Sequence, residues 1–249
     1  MIKYTIKKVF DKAFPLEIWK IAVDAEQEHI AIETRDIETT WPYIYILDFQ
    51  GNILLEHHPL EEKSWTLDNI RQHTVVLKAV GDSKPVKEGI ILLDLHGKER
   101  LYLSDFILLE TYQQYIKVRH RSFQSGFEKY INLSEHDNLS IGDEGLDHYG
   151  EEIELPLPYP YQRPAYLEAR DIEDILWVSR TQDKTLWAYH AKRDGQYTLN
   201  LCVANTSNIL SEQPLISGMS KMLPQPFFQV RNQIFLMSYN KREIVSYLV

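Results

Sequence analysis

Along most of the chain, apolar residues alternate with polar ones or gather in short unbroken runs, and stretches with the spacing of an amphipathic helix are few and short. Tyr4 to Phe10 alternates, while Ile44 to Leu47, Thr74 to Leu77, Ile90 to Leu93 and Leu199 to Val203 run almost without interruption. The runs are rich in Ile, Val, Leu and Tyr and are bounded by turn formers, a pattern that predicts an all-β protein.

The runs repeat. Ile46-Leu47-Asp48-Phe49-Gln50-Gly51-Asn52-Ile53-Leu54-Leu55 aligns without a gap on Leu92-Leu93-Asp94-Leu95-His96-Gly97-Lys98-Glu99-Arg100-Leu101, a shift of 46 residues. The same shift lays Trp19 on Trp65 and the apolar run around Ile30 on that around Val76. Each unit reads as a Trp-bearing strand, a second apolar strand, a loop, a third strand ending in Asp-x-x-Gly, and a short fourth strand. In that motif Asp accepts from turn amides and Gly supplies the positive φ of a tight hairpin. Four antiparallel strands in about 40–50 residues is the size of a propeller blade.

Weaker copies follow. A third unit covers Phe106 to Tyr112, Tyr115 to Arg121, Phe127 to Leu133 and Asn138 to Ile141, with its turn placed at Ser134 and Asp137-Asn138. A fourth covers Ile175 to Arg180, Thr185 to Lys192, Tyr197 to Ala204 and Asn208 to Leu210. The fifth, Phe227 to Val230, Ile234 to Tyr239 and Glu243 to Val249, has only three strands, and the orphan strand Tyr4 to Phe10 is expected to supply its fourth. The reading is one domain over residues 1–249, a five-bladed β-propeller with the N-terminal strand closing the last blade. An insertion at about 142–165 breaks the period: an acidic stretch from Gly142 to Glu154, then Leu155 to Pro164, whose prolines argue against a place in a sheet. A short helix is expected within Tyr166 to Asp174.

The Asp-x-x-Gly turns, Asp48-Phe49-Gln50-Gly51 and Asp94-Leu95-His96-Gly97, resemble those of quinoprotein-like and YVTN-like propeller blades, and the Gly-His and Trp-Asp marks of WD repeats are absent. The layout is also similar to a family of bacterial domains of unknown function. These resemblances imply a propeller fold and no particular chemistry.

Charge narrows the partners. With 27 basic and 36 acidic side chains the net charge is −9, which lacks the basic field that nucleic acids or anionic membranes demand, so neither is an expected partner. The N-terminus has no apolar signal block and no apolar run of about 18 residues follows, which gives a cytoplasmic expectation. Cys202, the single cysteine, lies in a strand pattern and reads as a small buried hydrophobe rather than a nucleophile.

Candidate chemistry is sparse. The acidic insertion matches no calcium loop, and no metal site or cofactor is expected. His57-His58 is the only adjacent histidine pair, and neighbours in a strand face opposite ways. His190 reads as a hydrogen-bonded, partly buried residue. Trp19, Trp65 and Trp177 recur with the repeat and are expected to pack between blades, whereas Trp41 stands outside it as an exposed aromatic suited to binding.

The leading functional expectation is a non-enzymatic propeller that binds a protein or a small ligand. Blade connectivity puts the loops joining second to third strands, and those joining blade to blade, at one end. That end collects Thr34 to Pro42, His57 to Ser64, Gly81 to Glu88, the insertion and Gln213 to Pro226, with Arg35, Trp41, Tyr159 and Tyr161 as candidate anchors. The alternative is a glycosidase-like hydrolase using a carboxylate pair from the innermost strands, for which Asp24, Asp68 and Glu110 are the candidates.

Overall fold

The computed structural model describes residues 4–80, 89–135, 138–139 and 153–249. The acidic stretch from Gly142 to Glu152 and the loop from Gly81 to Glu88 lie outside them. The chain forms five antiparallel sheets, the blades of an all-β propeller fold, divided between two compact units: Phe14–Glu152, and Met1–Ala13 with Ile153–Val249.

The first unit holds three blades, each a four-stranded meander. They are β2 (Glu17–Asp24), β3 (His29–Arg35), β4 (Pro42–Asp48) and β5 (Ile53–Pro59); then β6 (Trp65–Arg71), β7 (Thr74–Ala79), β8 (Ile90–Asp94) and β9 (Glu99–Leu103); then β10 (Phe106–Thr111), β11 (Tyr115–His120), β12 (Glu128–Asn132) and β13 (Asn138–Leu139). The unbroken apolar runs are the central strands, whose two faces are both covered. On β7, Val75 and Leu77 pack with Ile44, Ile46 and Leu67 toward the first blade. Val76 packs with Ile116, Val118 and Ile131 toward the third, so strand alternation serves both neighbours.

In the other unit, β14 (Leu157–Pro158), β15 (Glu173–Thr181), β16 (Lys184–Arg193), β17 (Gln196–Ala204) and β18 (Ile209–Met219) form a five-stranded sheet. The last sheet runs β19 (Phe228–Val230), β20 (Gln233–Met237), β21 (Glu243–Leu248) and then β1 (Lys7–Ala13). The N-terminal strand therefore supplies the missing outer position, antiparallel to β21 with Lys7 opposite Leu248 and Ala13 opposite Glu243. Ile6 joins Leu186, Leu199, Leu201, Ile234 and Leu236 in the core of this unit.

The turns share one device. Asp48 Oδ1 accepts from the amides of Gln50 and Asn52 at 3.0 and 2.8 Å, and Asp94 Oδ1 from those of His96 and Lys98 at 2.9 Å. Gly51 and Gly97 take φ of 86° and 79°. In the third blade the turn includes Ser134 as expected, with Asn132 accepting from the amides of Ser134 and Glu135, while Asp137 lies outside the described residues; in the fourth Asn205 accepts from Ser207 and Asn208. An asparagine side-chain oxygen fills the same acceptor role as aspartate, so the motif persists although its letters change.

Three expectations are corrected. The Pro/Tyr segment does enter a sheet: Leu157 and Pro158 pair with Val178 and Trp177, and proline is tolerated because an edge strand needs donors on one side only. The short helix is a 3-10 turn at Ala165–Leu167. The segment from Gln213 is strand as far as Met219, not loop.

The expectation that the repeated tryptophans pack between blades fails at Trp19, which is 68% exposed, although Trp65 is 6% exposed. Strand pairing explains it. Asp48 corresponds to Asp94, 46 residues on, but His29, its partner, corresponds to Thr74, 45 on, and Asp24 to Arg71, 47 on. Trp65 opposite Ala79 thus occupies the place of the buried Ile18 opposite Thr34, and Trp19 is the extra residue of a bulge between Ile18 and Lys20. Trp177 is partly buried against the core.

Candidate functional site

A pocket of about 310 Å³ lies where the first blade meets the second. Its floor is apolar, made by Trp65, Leu77, Ile91 and Leu93, with Leu60 from the β5–β6 connection. Its charged side chains are Glu61 and Glu99, both exposed, and neither makes a hydrogen bond or ion pair among the described residues. His58, Pro59 and Gly97 complete the lining.

The adjacent histidines are separated by a bulge in β5. Ile44 faces His58 and Ile46 faces Leu55, so Glu56 and His57 together oppose Tyr45, and His57 takes a φ of 49°. His57 stacks on Tyr43 with centroids 4.2 Å apart and hydrogen-bonds the Tyr45 hydroxyl at 2.6 Å. His58 enters the pocket, where burial lowers its pKa and keeps the ring neutral at pH 7. Gly97 of the second Asp-x-x-Gly turn abuts it: a Cβ there would stand 2.8 Å from His58 Nδ1, so glycine is required by both φ and space.

Two of the four predicted anchors converge on the connection that walls this pocket. The Trp41 indole is partly buried, not freely exposed as expected, because Nε1 donates to the Leu60 carbonyl at 2.9 Å. Arg35 donates from Nη2 to the Trp65 carbonyl at 3.0 Å and from Nη1 to those of Lys63 and Thr40 at 3.2 and 3.3 Å. Its Nε donates to Glu33 Oε1 at 2.6 Å, and its guanidinium lies over the Trp19 ring, 5.3 Å from the centroid. Glu33 is fully buried, and its other oxygen accepts from Thr66 Oγ1 at 2.6 Å and the Leu67 amide at 2.8 Å. This buried carboxylate is satisfied on both oxygens, the condition for an ion pair to lock two blades rather than cost stability. Arg35 and Trp41 therefore touch the backbone from Leu60 to Trp65 and fix the shape of the wall.

The other two candidates lie in the second unit. Tyr159 packs edge-on against Trp187, centroids 4.9 Å apart, and its amide donates to the Leu176 carbonyl at 2.8 Å. Tyr161 is 74% exposed and meets the edge of Tyr159. Nearby, Glu212 accepts from Arg170 and from the Tyr189 hydroxyl, tying the segment before β15 to β18. Burial pushes the Cys202 thiol up to about 12, so it is no nucleophile at neutral pH. His190 accepts from the Leu223 amide through Nε2 at 3.2 Å, as a buried structural histidine does.

The innermost-strand carboxylates are occupied. Asp24 is buried and accepts from the amides of Glu26 and Gln27, both at 3.1 Å, and from Gln72 of the next blade at 3.0 Å. Asp68 accepts from Thr111 Oγ1 and pairs with Lys78, each at 2.8 Å, and Glu110 accepts from the Tyr112 hydroxyl at 2.7 Å. Asp24 and Asp68 tie neighbouring blades together, whereas Glu110 is engaged locally, by the residue just beyond its own strand. Among the described residues no group of three or more His, Cys, Asp or Glu is arranged to hold a metal ion, and no helix is long and apolar enough to cross a membrane.

No protein-family model matches the sequence, and no curated protein matches it. Among solved structures the chain is similar to the β-propeller domain of the Trilobed protease from Pyrococcus furiosus, at 10% identity and a TM-score of 0.34, over 89% of this chain and 63% of that one. It is also similar to the Pyrococcus horikoshii acylaminoacyl peptidase, at 9% identity and a TM-score of 0.29, over 91% of this chain and 36% of that one. The chain thus spans less than two thirds of the length of either.

Proposed function

We propose that this chain is a binding module whose pocket between the first two blades takes a ligand with a cationic head on an apolar body. The observation that carries the reading is the pairing of an apolar floor with two unengaged carboxylates, Glu61 and Glu99, in one lining. A hydrocarbon stem displaces water from Trp65, Leu60 and Leu93, and an ammonium or guanidinium at its end meets the carboxylates. The chain's net charge of −9 favours approach of a cation. The Arg35 and Trp41 contacts hold the wall in place before the ligand arrives, which lowers the ordering cost of binding.

Titration of hexylammonium, hexanol and hexanoate by calorimetry tests this. The expected order is hexylammonium tightest, by about tenfold over hexanol, with hexanoate weakest. Replacing both Glu61 and Glu99 by Gln should bring hexylammonium down to the level of hexanol. Equal binding of the three compounds, or no saturable binding of hexylammonium, would refute the assignment.

A further inference from the structure

The hairpin joining β11 to β12 in the third blade departs from the surface around it. Every residue from Arg121 to Lys129 is exposed, and the turn carries two phenylalanines, Phe123 at 41% and Phe127 at 75% exposure. Their rings pack on each other with centroids 4.6 Å apart, and Phe123 also meets the edge of His120 at 6.0 Å. Phe127 takes a φ of 54°, a region that a bulky side chain enters only at a cost, and it follows Gly126, whose φ of 76° carries no such cost. Exposure of an apolar ring and strain in the backbone beneath it both disfavour the folded state. Together they mark a side chain kept for contact with another body.

Charge at this hairpin runs against that of the chain. From Tyr115 to Asn132 there are four basic residues, Lys117, Arg119, Arg121 and Lys129, and one acidic, Glu128, in a chain whose net charge is −9. Lys117 pairs with Glu128 at 2.7 Å and Arg121 with Asp105 at 3.0 Å, whereas Arg119 and Lys129 form no ion pair among the described residues. Strand alternation separates these two. Lys129 is the cross-strand neighbour of Val118, which packs in the core, and Arg119 is that of Glu128, so the two cations lie on opposite faces of the hairpin. Lys129 Nζ stands over the Phe106 ring, 5.7 Å from its centroid. The hairpin is thus a finger with an aromatic tip and a cation on each face behind it.

We infer that this finger docks the chain on an anionic lipid surface, with Phe123 and Phe127 entering the headgroup boundary and Arg119 and Lys129 meeting lipid phosphates on either side. An exposed apolar tip needs a partner that yields to it, as a bilayer does, and the cations behind it supply the charge complementarity. The negative charge of the chain is an average over its whole surface. With a screening length of about 8 Å at physiological salt, the lipid surface responds to the hairpin that reaches it rather than to distant carboxylates.

Co-sedimentation with vesicles tests the inference, using phosphatidylcholine alone, equal parts of phosphatidylcholine and phosphatidylglycerol, and polyglutamate as a soluble acidic competitor. The anionic vesicles should retain the chain at least about tenfold better than the neutral ones, and added salt should weaken that retention. Replacing both Arg119 and Lys129 by Gln should weaken it about tenfold or more. Phe127→Gly should weaken it at least about fivefold without lowering the melting temperature, since glycine relieves the positive φ, whereas Phe127→Trp should retain binding. Retention by neither vesicle, equal retention by both, retention unchanged in Phe127→Gly, or capture by polyglutamate in place of lipid would overturn the assignment.

Discussion

Single residues show where periodicity reaches its limit. Trp19 and Trp65 share a 46-residue spacing, yet a one-residue bulge leaves the first exposed and the second buried, since a shift of one place in a strand exchanges its faces. Trp65→Ala should cost about 3–5 kcal/mol as a core cavity, whereas Trp19→Ala should cost within about 1 kcal/mol. Urea unfolding of the two variants checks this, and equal losses would contradict the register. Buried histidines give a pH signature. Burial lowers the pKa of His190, His29 and His58, with the neighbouring His73 adding to the effect at His29. The folded chain therefore prefers them neutral: their contribution is fully present above the unfolded value of about 6.5 and is lost as pH falls through that value toward the lower folded ones. Stability measured from pH 7.5 to 5 should decline in the acid half, and His190→Gln should shallow the slope. A flat profile would place these rings in water.

Whole elements were the most legible part of the sequence. Most strands could be read within a few residues from apolar runs and turn formers, because a central strand covered on both faces must be apolar throughout and must end where the chain turns. The misreadings have physical causes. The N-terminal strand runs Lys7–Ala13 rather than Tyr4 to Phe10, since backbone pairing with β21 and not side-chain alternation sets its limits. Asn132 and Asn205 lack the letters of the Asp-x-x-Gly motif, although the side-chain oxygen of asparagine accepts the same amides as that of aspartate. The prolines of Leu155 to Pro164 argue against a central strand, but at an edge the missing donor is tolerated, and Pro158 pairs there with Trp177. Closure by β1 has a direct consequence. Removing residues 1–13 strips β21 of its partner and takes Ile6 and Phe10 out of the core, so the truncated chain should lose several kcal/mol in cooperative unfolding and aggregate through the bared edge. Unchanged melting would deny β1 its place in the last blade.

At the scale of the whole molecule, the candidate site was legible only in part. Blade connectivity points to the loop from His57 to Ser64 and to Arg35 and Trp41, and these gather at the first pocket, but as its wall. Most of its floor comes from ordinary core residues of the second blade, and Glu99 simply follows the Asp94-x-x-Gly97 turn, so nothing in the local sequence marks them. A pocket between two blades is a property of their packing, which pattern reading along one strand at a time does not reach. The central claim is that this pocket binds an apolar cation, and the most direct measurement is nuclear magnetic resonance mapping of hexylammonium on the isotope-labelled chain. The account predicts saturable shifts confined to Leu60, Glu61, Trp65, Leu93, Gly97 and Glu99 and their immediate neighbours. Shifts centred elsewhere, or none at concentrations that saturate the calorimetric signal, would contradict it.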